Sequence, residues 1–349
     1  MPNSYKFVLF VLFLVIGGIL LNFTKNSKIG DDFKFLVISH RGASGYLPEH
    51  TLEAKALAVG LGADFLEQDI HMSSDDGLIV AHEFELVSDV RAKYPQKIRQ
   101  NNKFEPIDFT LDEIKSLTVT SEFKKDNPNL PQYKDRFPLY KSNFKFHTFE
   151  EEIEFIQGLE KSMGKKIGIY PEIKRPSFYR KNGKDISLAV LQILKKYGYK
   201  NKNDLIFLQT FELNELRRIK TELFPKLDMD LPLVFLISGC GSEAKNYKNK
   251  LCADIDNIRE ITDIVGVDIN SLINFETKQP TEFAKNLQKK NMKIHVWTIK
   301  KDTLPKNINN TNELLNLLKN IGVSAIFTDF VDDVIKFNER TLKEIMLKN

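Results

Sequence analysis

The sequence predicts a (β/α)8 TIM barrel with an inserted subdomain after the second strand. Three observations predict it. Short apolar, β-branched runs alternate with amphipathic helical stretches along most of the 349 residues, and a repeated strand–helix order implies parallel pairing, because each parallel return needs a crossover. The alternation repeats eight times, the number that closes a barrel. Polar side chains gather at the ends of the strand-like runs, where such barrels keep their active sites.

The first strand is Phe35–Ser39, followed by a helix over Thr51–Leu61, and the second strand is Phe65–Ile70. Further strands fall at Ile167–Ile173, Asp204–Gln209, Leu233–Ile237, Ile264–Val267, Lys293–Ile299 and Ala325–Phe327. Helices are predicted at Asp185–Tyr197, Glu212–Leu223, Thr281–Lys290 and Thr311–Asn320. An open, doubly wound sheet is the rival arrangement, but the glycine-rich dinucleotide turn it often carries is missing after the first strand. One run breaks the rhythm. Leu78–His82 follows the second strand across Ser73-Ser74-Asp75-Asp76-Gly77, and a short loop ending in Asp-Gly signals an antiparallel hairpin. We read it as an arm folded back on the second strand. Residues 88–147 then lack clean strand–helix order, apart from a helix near Leu111–Leu117. They read as an inserted subdomain over one barrel mouth, since loops this long are usually functional or disordered.

Composition narrows the class. Hydrophobic residues make up 42% and charged residues 28%, an ordinary globular balance. A formal net charge of +4 gives no reason to expect a nucleic-acid partner, and no RNP, zinc-finger or basic-helix pattern is present. Cys240 and Cys252 are the two cysteines. Twelve residues apart and outside any C-x-x-C, they either close a small disulfide loop in an oxidising compartment or remain two free thiols. Residues 1–25 form a separate signal or anchor segment and 26–34 a linker, leaving 35–340 for the barrel. Phe7 to Leu21 is an unbroken apolar run between Lys6 and Lys25. It is long for a signal-peptide core and its exit lacks a small-x-small cleavage site. It approaches the roughly 17 residues that a spanning helix needs. The expected location is therefore periplasmic or otherwise extracytoplasmic, with the body tethered to the membrane through this segment alone or secreted after cleavage.

Chemistry concentrates at the strand ends. Glu67 and Asp69 lie two apart on a strand and share a face, which in a barrel is the interior. Glu172 joins them from the third strand. Buried carboxylates without partners are costly. Either a divalent cation resolves the repulsion, an all-oxygen set favouring Mg2+, Ca2+ or Mn2+, or Arg41 and Lys174 neutralise the cluster as ion pairs. His40 ends the first strand and His82 ends the arm, and two imidazoles beside such a cluster suit general acid–base work. Arg41 and Lys174 suit a phosphate. Gln209 and Trp297 also stand at strand ends, as does Asp329. His50, His71, His147 and His295 are read as structural: His50 at a helix start, His71 on the opposite face of its strand from the carboxylates, and His295 inside a strand.

The run His40-Arg41-Gly42-Ala43-Ser44-Gly45-Tyr46-Leu47-Pro48-Glu49-His50-Thr51, then Leu66-Glu67-Gln68-Asp69, then His82, resembles the glycerophosphodiester phosphodiesterases, in particular the bacterial periplasmic type. Gly168-Ile169-Tyr170-Pro171-Glu172-Ile173-Lys174, Gln209-Thr210-Phe211, Val296-Trp297-Thr298 and Phe327-Thr328-Asp329 are similar to later blocks of that family. The likeness runs over roughly residues 35–335. It implies a barrel with an insertion, a divalent cation (Ca2+ first, Mg2+ as the alternative), and hydrolysis of small-molecule glycerophosphodiesters to sn-glycerol 3-phosphate and an alcohol. It also implies Glu67, Asp69 and Glu172 as metal ligands and His40 and His82 as catalytic groups, with Arg41, Lys174, Gln209, Phe211 and Trp297 toward substrate. The family usually has His-Asp where this chain has His82-Glu83, which keeps the charge and adds a methylene. Two other readings stay open: a phospholipase D-like enzyme that transfers the phosphate intramolecularly, and a surface binding protein that has lost turnover.

Overall fold

Eight parallel strands close on themselves in the computed structural model, which describes residues 33–241 and 250–347. The chain lays down β1 (Leu36–Ser39), β2 (Phe65–Met72) and β3 (Leu78–Val80), and the inserted segment adds β4 (Phe123–Lys124) and β5 (Asn127–Pro131). The barrel resumes with β6 (Gly168–Ile173), β7 (Leu208–Thr210), β8 (Leu233–Ile237) and β9 (Ile264–Asp268). A small hairpin of β10 (Ile273–Asn274) and β11 (Gln279–Pro280) precedes β12 (Lys293–Ile299) and β13 (Val323–Thr328). The sheet order is β1-β13-β12-β9-β8-β7-β6-β2, and the pairing of β1 with β2 closes it. This excludes the open doubly wound sheet. The barrel lies within one compact unit, Phe35–Asn338. The other unit, residues 1–34 and 339–349, is described only at 33–34 and at the end of the last helix, Val331–Met346. The apolar run Phe7–Leu21 and most of the linker lie outside the described residues. Among the described residues no helix is long and apolar enough to cross a membrane.

Strand alternation fills the barrel. Ile38, Phe65, Tyr170, Val234, Ile264, Ala325 and Phe327 form its buried inner cluster, with Tyr170 stacked on Phe207 at 5.0 Å and edge-on to Phe327 at 4.9 Å. The Tyr170 hydroxyl lies 2.7 Å from Nδ1 of His295, inside the barrel. A Cβ on Gly168 would sit 2.2 Å from the Phe65 ring, so only glycine lets that ring cross the interior. One layer higher, the same parity carries Glu67, Asp69, Glu172 and Gln209 to the mouth.

β3 pairs antiparallel with the far end of β2, Ile70 opposite Val80, as the Asp-Gly loop predicts. The insertion that follows contains short helices at Val90–Lys93 and Leu111–Ser116, the second opened by a capping box of Thr110 and Glu113. Phe84, Phe104, Phe109 and Phe144 bury its own apolar core against Ile79 of the arm. Val119 bridges both Ser88 and Phe144, so the middle of the insertion is held between its two ends.

Beneath the mouth, on the outer side of β2, Lys55 is fully buried. Its ammonium lies 2.9 Å from Glu152, whose other oxygen meets His147 at 2.6 Å, and Gln68 donates to Glu152 at 2.9 Å. Lys55 also donates to the Glu67 carbonyl. Breaking one partner of such a buried pair costs about 3–5 kcal/mol.

Several boundaries differ from the sequence reading. Asp204 does not start a strand: its carboxylate accepts the Lys200 and Asn201 N–H groups at 2.6 and 2.7 Å and closes a turn, so β7 begins at Leu208. The helix expected over Glu212–Leu223 is Leu213–Arg218 followed by a wider turn, Ile219–Leu223, and a last turn, Phe224–Leu227. Pro225 has no N–H for the regular ladder, which the wider turn accommodates. Cys240 and Cys252 form a disulfide, their Cα atoms 5.5 Å apart, which resolves the alternative the spacing left open.

Candidate active site

The mouth is built from strand ends. His40 follows β1, where its N–H donates to the Thr328 carbonyl at 3.0 Å. Its Nδ1 meets Oδ1 of Asp329, just past β13, at 2.7 Å. Burial, then the neighbouring Arg41, lower the His40 pKa to about 4 against the pull of Asp329. Asp329 is held well below the usual carboxylate range: against burial, His40, Lys300 and Arg136 keep it ionised.

Arg41 and His50 both adopt left-handed backbone, with φ of 61° and 55°, and the His50 N–H donates to the Arg41 carbonyl at 2.9 Å. This tight loop turns the Arg41 N–H onto Oε2 of Glu67 at 2.7 Å. The guanidinium is 2.6 Å from Glu49 and 3.5 Å from Asp69. Lys174 stands 3.2 Å from Asp69 and 3.0 Å from Glu172. Four carboxylates, Glu49, Glu67, Asp69 and Glu172, thus share two cations, and the imbalance sets their protonation. Burial pushes Glu49 and Glu172 up to about 7 against Arg41 and Lys174 respectively. Burial and then Asp69 raise Glu67 well above its usual range. Asp69 goes the other way: against burial, Lys174 and His82 hold it down.

His82 is delivered by the arm, whose Ala81 N–H donates to the Asp69 carbonyl at 2.9 Å. Its Nδ1 is 3.9 Å from Glu83, which is half exposed. That distance is too long for a hydrogen bond, so Glu83 does not orient the ring. Burial and then Arg41 lower the His82 pKa well below its usual value.

The ten residues selected from sequence, His40, Arg41, Glu67, Asp69, His82, Glu172, Lys174, Gln209, Phe211 and Trp297, all line one cavity of about 80 Å3, completed by Leu236 and Phe327. Phe211 and Trp297 meet edge to face at 5.7 Å. Oε1 of Gln209 and Nε1 of Trp297 are buried without a hydrogen-bond partner, unusual for buried polar atoms and suited to a ligand hydroxyl. A second cavity of about 330 Å3 opens beside the first and shares His82, Glu172, Lys174 and Phe211 with it.

Two histidine readings change. His50 belongs to the carboxylate cluster: its Nε2 is 2.9 Å from Asp69, and ligand atoms of His50, Glu67 and Asp69 lie within 4.8 Å of one another. His71 is not on the opposite strand face. It has the parity of Glu67 and Asp69, lines the larger cavity and meets the Tyr179 hydroxyl at 3.1 Å. Sequence reasoning also gave no role to Glu49 or Asp329, or to Arg136 of the insertion. Asp329 was visible as a strand-end carboxylate, whereas Arg136 had no local signal.

The glycerophosphoryl diester phosphodiesterase family profile matches residues 40–333. The chain is 46% identical over 324 residues to a glycerophosphodiester phosphodiesterase of Haemophilus influenzae, covering 86% of this chain and 89% of that one. It is 39% identical to the one of Treponema pallidum, covering 86% and 91%. An Oleispira antarctica phosphodiesterase solved with the product sn-glycerol-3-phosphate has the same fold, with a TM-score of 0.55, 18% identity and coverage of 87% and 96%. The chain belongs to the glycerophosphoryl diester phosphodiesterase family and is an enzyme.

Proposed function

We propose that the protein hydrolyses glycerophosphodiesters to sn-glycerol 3-phosphate and an alcohol, with His40 and His82 moving the protons. The observation that carries the proposal is the meeting of two histidines, two cations and three carboxylates around one cavity. The named relatives and the product-bound neighbour support the substrate class.

His40 is the base in this reading. With Nδ1 engaged by Asp329, its Nε2 is left to take a proton from the attacking water, and its lowered pKa keeps it neutral for that task. The water oxygen bonds to phosphorus as the bond to the leaving alcohol breaks, and His82 gives a proton to the departing alkoxide, a role that requires the bound phosphodiester anion to raise the ring's lowered pKa so that it is protonated. Arg41 and Lys174 oppose charge on the phosphoryl oxygens. Trp297 and Gln209 bond the glycerol hydroxyls, and the larger cavity takes the alcohol.

A divalent cation fits the residues present. Four buried carboxylates outnumber the two cations beside them, an excess of negative charge whenever they are ionised, and the cluster of Glu67 and Asp69 with the His50 imidazole suits a hard ion. Glu67, Asp69 and Glu172 would hold it, Ca2+ in first place and Mg2+ as the alternative. When bound it supplies Lewis acidity and a template for the phosphate. The test is coupled detection of sn-glycerol 3-phosphate from a panel of diesters, with and without chelator. No product from any diester refutes the proposal.

We further propose that the enzyme works outside the cytosol, tethered or secreted through its N-terminus. The apolar run Phe7–Leu21 between Lys6 and Lys25 supports this, as does the Cys240–Cys252 disulfide, since such bonds persist in oxidising compartments. The mass of the mature protein in membrane and soluble fractions tests it, and accumulation in the cytosol refutes it.

A further inference from the structure

The inserted segment reaches into the catalytic end of the barrel through Arg136. Its side chain is only 9% exposed and touches three loops. Nε and Nη2 fork onto Asp302, after β12, at 2.8 and 3.1 Å. Nη1 donates to the Ser44 carbonyl, after β1, at 3.3 Å. Nη2 also lies 2.8 Å from Oδ2 of Asp329. The guanidinium is stacked 3.8 Å over the ring of Tyr133, another residue of the insertion, whose hydroxyl accepts from Lys300 at 2.8 Å.

Asp329 therefore has its two oxygens divided between two tasks. Oδ1 faces Nδ1 of His40, and Oδ2 faces Arg136. Lys300, the other cation near Oδ2, is farther away at 3.7 Å. A carboxylate 2% exposed needs a partner of this kind to stay ionised and to keep one rotamer. Asp329, ionised and fixed, accepts from Nδ1 and so holds the imidazole in the tautomer that leaves Nε2 free.

We propose that Arg136 is a positioning residue for His40, acting through Asp329, so that the insertion helps to set the catalytic base as well as covering the mouth. The inference rests on the proposed role of His40. Asp302 and Tyr133 hold the guanidinium in place, and a lysine at this position, lacking the fork, cannot span Asp302 and Asp329 together.

The test is a double-mutant cycle between Arg136 and Asp329 in the full-length protein. R136M is expected to lower kcat roughly 10–100-fold with KM little changed, the scale for losing the alignment of a catalytic group. R136K is expected to recover part of the loss. D329N should lower kcat at least as far, and R136M/D329N no further than D329N alone. Full kcat in R136M overturns the proposal, as does a double variant whose losses multiply, because Arg136 would then act by another route. Should R136M not fold, R136K with D329N completes the cycle. Nitrogen-15 spectra of histidine-labelled protein give a readout independent of turnover. The His40 ring should be a single Nδ1–H tautomer in the wild type and a mixture in R136M. An unchanged tautomer in R136M overturns the proposal even if the protein hydrolyses no diester, whereas absent turnover with the expected tautomer change sinks only the proposed activity.

Discussion

Nε2 of His50 lies 2.9 Å from Oδ2 of Asp69, both residues are buried, and Nδ1 of the same ring has no hydrogen-bond partner. The contact draws a residue from the loop after β1 into the carboxylate cluster of β2. A ring so placed either contributes to the ion's shell or fixes the orientation of a carboxylate that does. Replacing His50 by phenylalanine should weaken Ca2+ affinity roughly 10–100-fold, measured by calorimetry. Unaltered affinity would return His50 to a purely structural role.

The carboxylates themselves should matter more. Dialysis against EDTA should abolish hydrolysis, and Ca2+ or Mg2+ should restore it. Glu67→Gln should weaken binding of the ion in direct titration, because it removes a formal charge from a cluster with four carboxylates and two cations. Full turnover in excess chelator would show that Arg41 and Lys174 suffice.

His40→Ala and His82→Ala should each lower kcat by about 10²–10⁴-fold, the usual scale for a general acid or base. Their thermal unfolding should stay near that of the wild type, because both line a cavity. A variant with near-normal kcat would remove that histidine from the mechanism.

Acid should destabilise the protein in a defined window. Burial lowers the His295 pKa from 6.5 to about 3, so the folded state keeps this ring neutral where the unfolded chain protonates it. Between those values the unfolded state binds the extra proton, and stability falls as pH drops. Above 6.5 nothing is lost. One such histidine contributes a slope of about 1.4 kcal/mol per pH unit. Urea unfolding of His295→Gln across this window should show a shallower dependence by that amount, and an unchanged slope would show that the ring titrates normally.

The barrel was legible because period-two alternation and crossover order are written locally. Glu67, Asp69, Glu172 and His40 could be placed at one mouth from parity alone, and the Asp-Gly loop marked the arm that carries His82. What could not be read depended on chain reversals of long span. His50 reaches Asp69 only because Arg41 and His50 take left-handed backbone, a turn the run of side chains does not announce. Arg136 meets Asp329 across nearly 200 residues of sequence, from a segment without periodicity. His71 was misassigned for a simpler reason, since its odd number already places it with Glu67 and Asp69.

The buried Lys55–Glu152 pair dictates how the chain can be shortened. Excision of the insertion to leave a minimal barrel must rejoin the chain before His147, because that imidazole completes the shell of Glu152, and a splice beyond it strands a buried cation–anion pair with one partner missing. Ser88 and Phe144 flank Val119, so an insertion exchanged as a cassette from a related chain between these two points must also restore the pairing through Val119 that links them. Any such cassette without an arginine equivalent to Arg136 would deliver a barrel that folds and turns over slowly.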